Sequence, residues 1–341
     1  MTIGAARAAA ADWVSTRAAS QPWFRGAYFG GSTATHPVDA PLSPSSDIDV
    51  FVVTADADAP PKLGKCLYRD VLLEVTFVPA AALGSAAMVL GHYHLAGAFR
   101  VNTIIADPAG QLSGLQTEVA RHFAEEHWVR RRCAHARQGC ERFLAAIDPS
   151  APWHEQVLAW LFGTGVTTHV VLVAALSNPT VRLRYLRARE VLLRYGYPAV
   201  YAEMLRLLGC TDLTPERAME HLEALAQTFD TAAAVLRTPY RFGSDISPAA
   251  RPIAIDGSRA LIQAGNHREA VFYMAATFGR CHTILTVDAP EVQRALAPAF
   301  DALLADLGIP STADLIRRAG EVRRFLPSVS ETAEAILAAR V

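Results

Sequence analysis

Gly30–Gly31–Ser32, a loop marked by Pro37, Pro41 and Pro44, and then Asp47–Ile48–Asp49–Val50–Phe51–Val52–Val53 form the stretch from which the rest of this chain can be read. The second segment is too rich in β-branched residues to favour a helix and reads as a strand buried on much of both faces. Ala27–Phe29 is a short apolar run leading into the glycines, so the local order is strand, glycine turn, loop, strand. Asp47 and Asp49 stand two positions apart, which sends both carboxylates out of the same strand face with Cα atoms roughly 6 to 7 Å apart. Such a pair can hold a divalent cation, and without one their repulsion raises at least one pKa.

Moving outward, Cys66–Arg69 and Val71–Val78 read as two strands linked around Asp70, and Asp58–Ala59–Pro60–Pro61 closes the excursion before them. Glu74 lies inside Leu72–Leu73–Glu74–Val75–Thr76–Phe77, where a charge has little structural reason to appear unless that face opens onto a site. With Asp47 and Asp49 it would complete a metal centre of oxygen ligands, suited to magnesium and to in-line attack of a hydroxyl on phosphorus. Zinc lacks support because no Cys/His cluster accompanies the acids. Glycine lets backbone N–H groups approach phosphate oxygens where a Cβ would obstruct them, and the Ser32 hydroxyl adds a donor. Gly–Gly–Ser alone also reads as an ordinary turn, and the segment lacks the GxxxxGK[ST] pattern of a P-loop.

The fold class that follows is α+β. Ala5–Ala19 and Ala80–Leu95 read as helices and Val101–Ala106 as a further strand, so residues 1–111 mix strands and helices. From Leu112 onward the pattern turns helical: Leu112–Ile147 with a break near Gly139, Trp153–Leu176, Arg182–Arg194, Ala199–Leu208, Pro215–Leu236, Gly257–Gln263, Arg268–Val287, Pro290–Leu307, Ala313–Phe325 and Ser330–Ala339. Residues 112–341 are therefore expected to form an all-helical domain. A chain of 341 residues is long enough for two domains.

Composition narrows the function classes. With 51% apolar and 19% charged residues the chain is a folded globular protein rather than a disordered one. Its 32 Lys and Arg balance 33 Asp and Glu, so no whole-protein field holds an extended nucleic acid. Only two of the basic residues, Lys62 and Lys65, are lysines, which reads as the mark of a GC-rich genome. Five scattered cysteines without a CxxC pair fit a reducing cytoplasm better than a disulfide framework, and the N-terminal alanines are interrupted by Arg7, Asp12 and Arg17, unlike a signal peptide. Val157–Leu176 lacks Asp, Glu, Lys and Arg and meets the length of a membrane span. Gly163, Thr164, Gly165, Thr167, Thr168 and His169 in its middle favour a buried helix and no membrane.

Gly30–Gly31–Ser32, the Asp47–x–Asp49 pair and the isolated strand acid Glu74 resemble the signature of the polymerase β-type nucleotidyltransferase superfamily over about residues 24–79. An N-terminal catalytic domain followed by helices is similar to the antibiotic nucleotidyltransferases that adenylylate aminoglycosides or lincosamides. The resemblance implies a nucleotidyltransferase domain with a mixed β-sheet and flanking helices at 1–111, and a helical acceptor-binding domain at 112–341 with substrate between the two. It implies that Gly30, Gly31 and Ser32 bind phosphate, that Asp47 and Asp49 ligate metal, and that Glu74 holds the catalytic metal or activates the acceptor hydroxyl. The implied cofactors are Mg²⁺, two ions with bound NTP, and ATP as donor. The partners are that NTP and a small hydroxylated acceptor, an antibiotic among the candidates, with a homodimer as one expected assembly because a second copy can line the cleft in this family. The same acids would serve transfer to a protein side chain, and a nucleotide-sensing or antitoxin-like module could keep the turn without turnover. The loop from Ser32 to Asp47 is a little longer than the usual spacing of the signature.

Lys62, Lys65 and Arg69 are the basic residues between the turn and Glu74; ordinary surface charge is one reading of them, and a contact to triphosphate or to the leaving pyrophosphate is the other. Arg130–Arg131–Arg132 reads more readily as a solvated helix face, and the Arg130 to His135 spacing resembles the Arg-x4-His of small helical ribonucleases. His92, His94, His267 and Glu269 are further acceptor-site candidates. A polycationic acceptor calls for clustered carboxylates, to which Glu125, Glu126, Glu141, Glu155 and Glu203 could contribute.

Overall fold

Phe24–Phe29 (β1), Ile48–Thr54 (β2), Gly64–Tyr68 (β3), Val71–Pro79 (β4) and Ile104–Ala106 (β5) hydrogen-bond into one sheet in the order β3-β4-β2-β1-β5. The computed structural model describes residues 1–55 and 62–340. The expected turn Asp58–Ala59–Pro60–Pro61 lies outside the described residues. Strand β2 pairs parallel with β4 and antiparallel with β1, while β3 and β4 form an antiparallel hairpin. The sheet is mixed because the chain passes from β2 out to the edge strand β3 and returns by a tight turn, which brings β4 back alongside β2 in the same direction. That turn is Arg69–Asp70, with φ of +47° and +62°. Two left-handed residues in succession match the twist of the flanking strands.

Alternation along β2 decides which groups lie on which face. Ile48, Val50 and Val52 are fully buried together with Leu73 and Val75 of β4, and pack with Ala6, Ala9, Ala10 and Trp13 of the helix Ile3–Trp13 (α1). Val53 and Val78, on the opposite face, pack with Tyr28, Leu90, Phe99, Leu112 and Val119. Asp49 and Glu74 belong by parity to this second face. Thr2 caps α1 by accepting from the Ala5 N–H, and α1 continues as a wider π-type turn at Val14–Ala18.

The expected helix over Ala80–Leu95 is broken. It comprises a 3₁₀ turn at Ala80–Leu83 and the short helix Ala86–Gly91 (α2), and a second 3₁₀ turn follows at Ala96–Phe99. The break falls at Gly84–Ser85, where the Ser85 hydroxyl accepts from the Met88 N–H and starts a new helix. The expected strand Val101–Ala106 shortens to β5.

The chain divides into two compact units, Met1–Arg132 and Cys133–Val341. The division comes later than the change of sequence pattern at 111–112, because Gln111–His122 (α3) contributes Leu112 and Val119 to the core of the first unit. The next helix, Glu126–Ala145 (α4), runs through the division. The interruption expected near Gly139 lies instead between α3 and α4, at residues 123–125.

The second unit is helical throughout its regular structure. Its helices are Trp153–Gly165 (α5), Thr167–Ala174 (α6), Arg184–Arg194 (α7), Pro198–Leu208 (α8), Pro215–Val235 (α9), Gly257–Gln263 (α10), His267–Asp288 (α11), Pro290–Asp306 (α12) and Thr312–Ala338 (α13). Helix α11 is apolar on nearly every side, with Val271, Phe272, Met274 and Phe278 all inaccessible, as expected of a helix surrounded by others. The two segments expected at 313–325 and 330–339 are one helix with Pro327 inside it. Burial of Leu326 and Val329 on either side of the proline outweighs the hydrogen bond it removes. Trp153–Ala174 is long and apolar enough to cross a membrane by length and composition, and 83% of its most apolar window is buried within the protein. All five cysteines are free.

Candidate functional site

The pairing register across three strands builds the site. Asp49 on β2 stands opposite Glu74 on β4, and Glu74 stands opposite Lys65 on β3. Neighbouring strands are about 4.8 Å apart, so two acids and a lysine form a row on one face of the sheet. Asp47, just before β2, joins the row through Lys65, whose ammonium donates to Asp47 Oδ2 and to Glu74 Oε2, the latter at 2.5 Å. Lys62 donates to the other oxygen, Glu74 Oε1, at 2.9 Å. The Lys65 side chain is only 5% exposed, against about a fifth for its partners.

The glycine turn closes the row at its other end. Gly30 donates its N–H to the Asp49 carbonyl at 3.0 Å, which fastens the turn to β2. Gly31 has φ +64°, and a Cβ there would collide with the Asp49 carboxylate. Both conditions favour glycine at this position. A Cβ on Gly30 would run into the Phe51 ring. Ser32 is exposed and starts the 3₁₀ turn Thr33–Thr35 without a side-chain cap. Arg7 of α1 donates to the carbonyls of Thr33 and His36, and the backbone N–H groups of Ile3 and Gly4 donate to Ala40 and Val38. The N-terminal helix thus holds the loop that follows the glycines. Residues 26 and 29 positions apart meet in the Arg7 contacts, which no local pattern in the sequence signals.

Electrostatics divide the acids. The Asp49 carboxyl is pushed well above the usual carboxylate range, first by the protein packed around it and then by Asp47 and Glu74. Part of Asp49 still reaches solvent. Glu74 is driven the other way: burial opposes its ionisation, but Lys65 and Lys62 together hold it down to about 2.

The structure therefore brings together Gly31, Asp47, Asp49, Glu74, Lys62 and Lys65. It leaves Arg69 at the hairpin turn, 63% exposed and 2.9 Å from Asp12 of α1. Both lysines stand on the acids. One signal for this was present in the composition, since they are the only lysines among 32 basic residues. Among the described residues, no group of three carboxylate, imidazole or thiolate side chains is arranged to hold a metal ion.

Several of the weaker candidates have partners elsewhere in the fold. Arg132 is a core residue rather than part of a solvated face: it is 2% exposed, donates to the Leu90 and Phe123 carbonyls, and lies over the Phe123 ring. Arg131 lies over Trp128 and Arg130 pairs with Glu126. Glu269 accepts from Arg189 and Tyr201, and His267 is hydrogen-bonded to the Leu213 carbonyl. Glu125, Glu141 and Glu203 each pair with a nearby His or Arg.

Compared with known proteins, the chain matches no family model, no curated protein and no solved structure.

Proposed function

We propose that the protein is a nucleotidyltransferase of the polymerase β type, moving an NMP, AMP foremost, from an NTP to a hydroxyl of a small acceptor and releasing pyrophosphate. The observation that carries this reading is the meeting of the glycine turn with the acids, Gly31 lying against the Asp49 carboxylate in a conformation that only glycine adopts easily. Turn N–H groups that can face phosphate then stand beside carboxylates that can face a cation. The acids fit magnesium by donor chemistry: they are hard oxygen ligands, and the raised pKa of Asp49 marks a place where negative charge lacks compensation. Asp47 and Asp49 would hold the ion. When bound, it would neutralise phosphate charge and polarise the phosphorus that the hydroxyl attacks.

The protein's own groups have distinct parts in this reading. Gly31 would orient the phosphate chain, Gly30 fastens the turn to β2 through the Asp49 carbonyl, and Arg7 keeps the following loop in place. Lys62 and Lys65 keep Glu74 ionised at neutral pH. The pairing of Glu125, Glu141 and Glu203 with bases favours an uncharged or weakly charged acceptor, such as a lincosamide or a sugar derivative, over a polycation.

A second reading is supported by one observation. The Lys65 ammonium already bridges two of the acids, as in a module that binds nucleotide without turnover. Calorimetry with ATP, GTP, CTP and UTP in Mg²⁺, followed by mass analysis of products after an acceptor screen, tests both. Saturable binding that is lost in Asp47→Ala, together with pyrophosphate release, supports transfer. Binding without any product supports the module, and no binding to any NTP rejects both.

A further inference from the structure

We propose that Lys65 takes the place of one of the two divalent ions, so that the site works with a single metal ion beside a built-in ammonium. The inference rests on the nucleotidyltransferase reading and concerns how its site is charged.

The Lys65 ammonium lies between Asp47 and Glu74 and donates to one oxygen of each. An ion drawing on both acids would have to displace it. The side chain has little room to retreat, since it is 5% exposed and grows from β3, whose register opposite Glu74 is set by five consecutive pairs from Gly64↔Val75 to Tyr68↔Val71. An ammonium left in place next to a divalent ion would suffer direct repulsion at low effective dielectric. Removing it from both carboxylates without full hydration is also unfavourable. Asp49 is differently placed: its carboxylate stands against Gly31, on the side of the glycine turn. That leaves Asp49 and the remaining oxygen of Asp47 for one ion brought in with the nucleotide.

The choice of residue points the same way. The chain uses arginine almost everywhere a base is needed, yet both of its lysines are found here. A lysine ammonium is a compact point charge with three donors, close to an ion in how it fits between two carboxylates. A guanidinium is a broad plane that would splay them. Among the described residues, Lys62 on the outer oxygen of Glu74 adds to the compensation, so that two ammoniums stand against the row of three carboxylates.

The test counts metal ions without reference to turnover. Mn²⁺ is titrated by electron paramagnetic resonance into the intact protein saturated with an α,β-methylene NTP analogue, with free analogue as the blank. The expected result is one protein-dependent Mn²⁺ in the wild type and two in Lys65→Met, the second recognisable by spin coupling to the first. Lys65→Arg is expected to bind the nucleotide analogue more weakly than wild type, because the plane displaces Asp47. Two ions in the wild type overturn the inference and leave the nucleotidyltransferase reading standing. One ion in both wild type and a folded Lys65→Met also overturns it. If the wild type binds analogue and no Mn²⁺ at all, the metal-dependent reading of the function falls as well. Should Lys65→Met fail to fold, the wild-type count alone still decides between one ion and two.

Discussion

Both units of this protein bury charged side chains, and they do so in opposite ways. In the helical unit the buried carboxylates Asp245 and Glu269 are each met by an arginine. Arg280 meets Asp245 at 2.9 Å with both side chains about 10% exposed, and Glu269 is held by Arg189 and the Tyr201 hydroxyl. In the sheet unit Asp47, Asp49 and Glu74 share two lysines, and Asp49 retains a raised pKa. Burial of charge by itself therefore does not mark a functional site. The proposed site rests instead on a surplus of one sign beside backbone that can approach a ligand, an arrangement from which folding alone gains nothing.

The largest test of the comparison is to break a balanced pair. Asp245→Ala strands the Arg280 guanidinium over the Phe242 ring with its carboxylate gone. Losing one partner of a buried pair typically costs about 3–5 kcal/mol. The expected outcome is a fall of about 10 °C in the melting temperature of the helical unit, with Mg–NTP binding by the folded fraction unchanged. A shift below about 2 °C, read by calorimetry, would mean that the pair does not hold the helical unit together.

Two histidines supply the next effect. His154 and His282 are buried in the helical unit, and burial lowers each to about 4, with His154 adding to the shift of His282. A native pKa below the unfolded value of about 6.5 means that the unfolded chain takes up protons which the native state refuses. Stability is therefore full above about pH 6.5 and is lost as the pH falls through the window from 6.5 to 4. By about pH 5 the loss is on the order of 2 kcal/mol for each histidine. Denaturant melts at about pH 7.5 and about pH 5 check this, and the double variant His154→Gln/His282→Gln is expected to flatten the slope. An unchanged slope in that variant assigns the acid sensitivity to other groups.

The legible parts of the molecule were those written in local pattern. The run of β-branched residues after Asp47 and the alternation around Glu74 specify strands in most contexts, so β2 and β4 could be placed from sequence. Most helices of the second unit were readable for a similar reason, their ends being marked by Pro, Gly and Asn. What escaped depended on contacts between distant residues. Pro327 looks like an end of helix until the buried neighbours that carry α13 through it are known. Residues 80–95 look like one helix until Ser85 is seen capping a new start. The second unit's boundary escaped because α3 has a helical pattern but a place in the first core. At the site, Lys65 could not be paired with Asp47 and Glu74 before the register of β3 against β4 was known.

The smallest expected effect sharpens the comparison most directly, because it reverses sign between the units. Asp49→Asn keeps the shape of the side chain and removes a charge that is opposed first by the protein around it and then by Asp47 and Glu74. A carboxyl whose native pKa is raised costs the fold stability as the pH rises through that value, so removing its charge is expected to stabilise the metal-free protein. The partial exposure of Asp49 moderates this, and the expected outcome of the substitution is a small rise in melting temperature in metal-free buffer. Asn also loses the ionic grip on a cation, so added Mg²⁺ with NTP is expected to stabilise the wild type and leave Asp49→Asn unmoved. The removal of a buried acid thus strengthens one unit and, at Asp245, weakens the other. If Asp49→Asn instead lowers the melting temperature in the absence of metal, the lysines already balance the row, and the surplus charge that distinguishes the two units is not there.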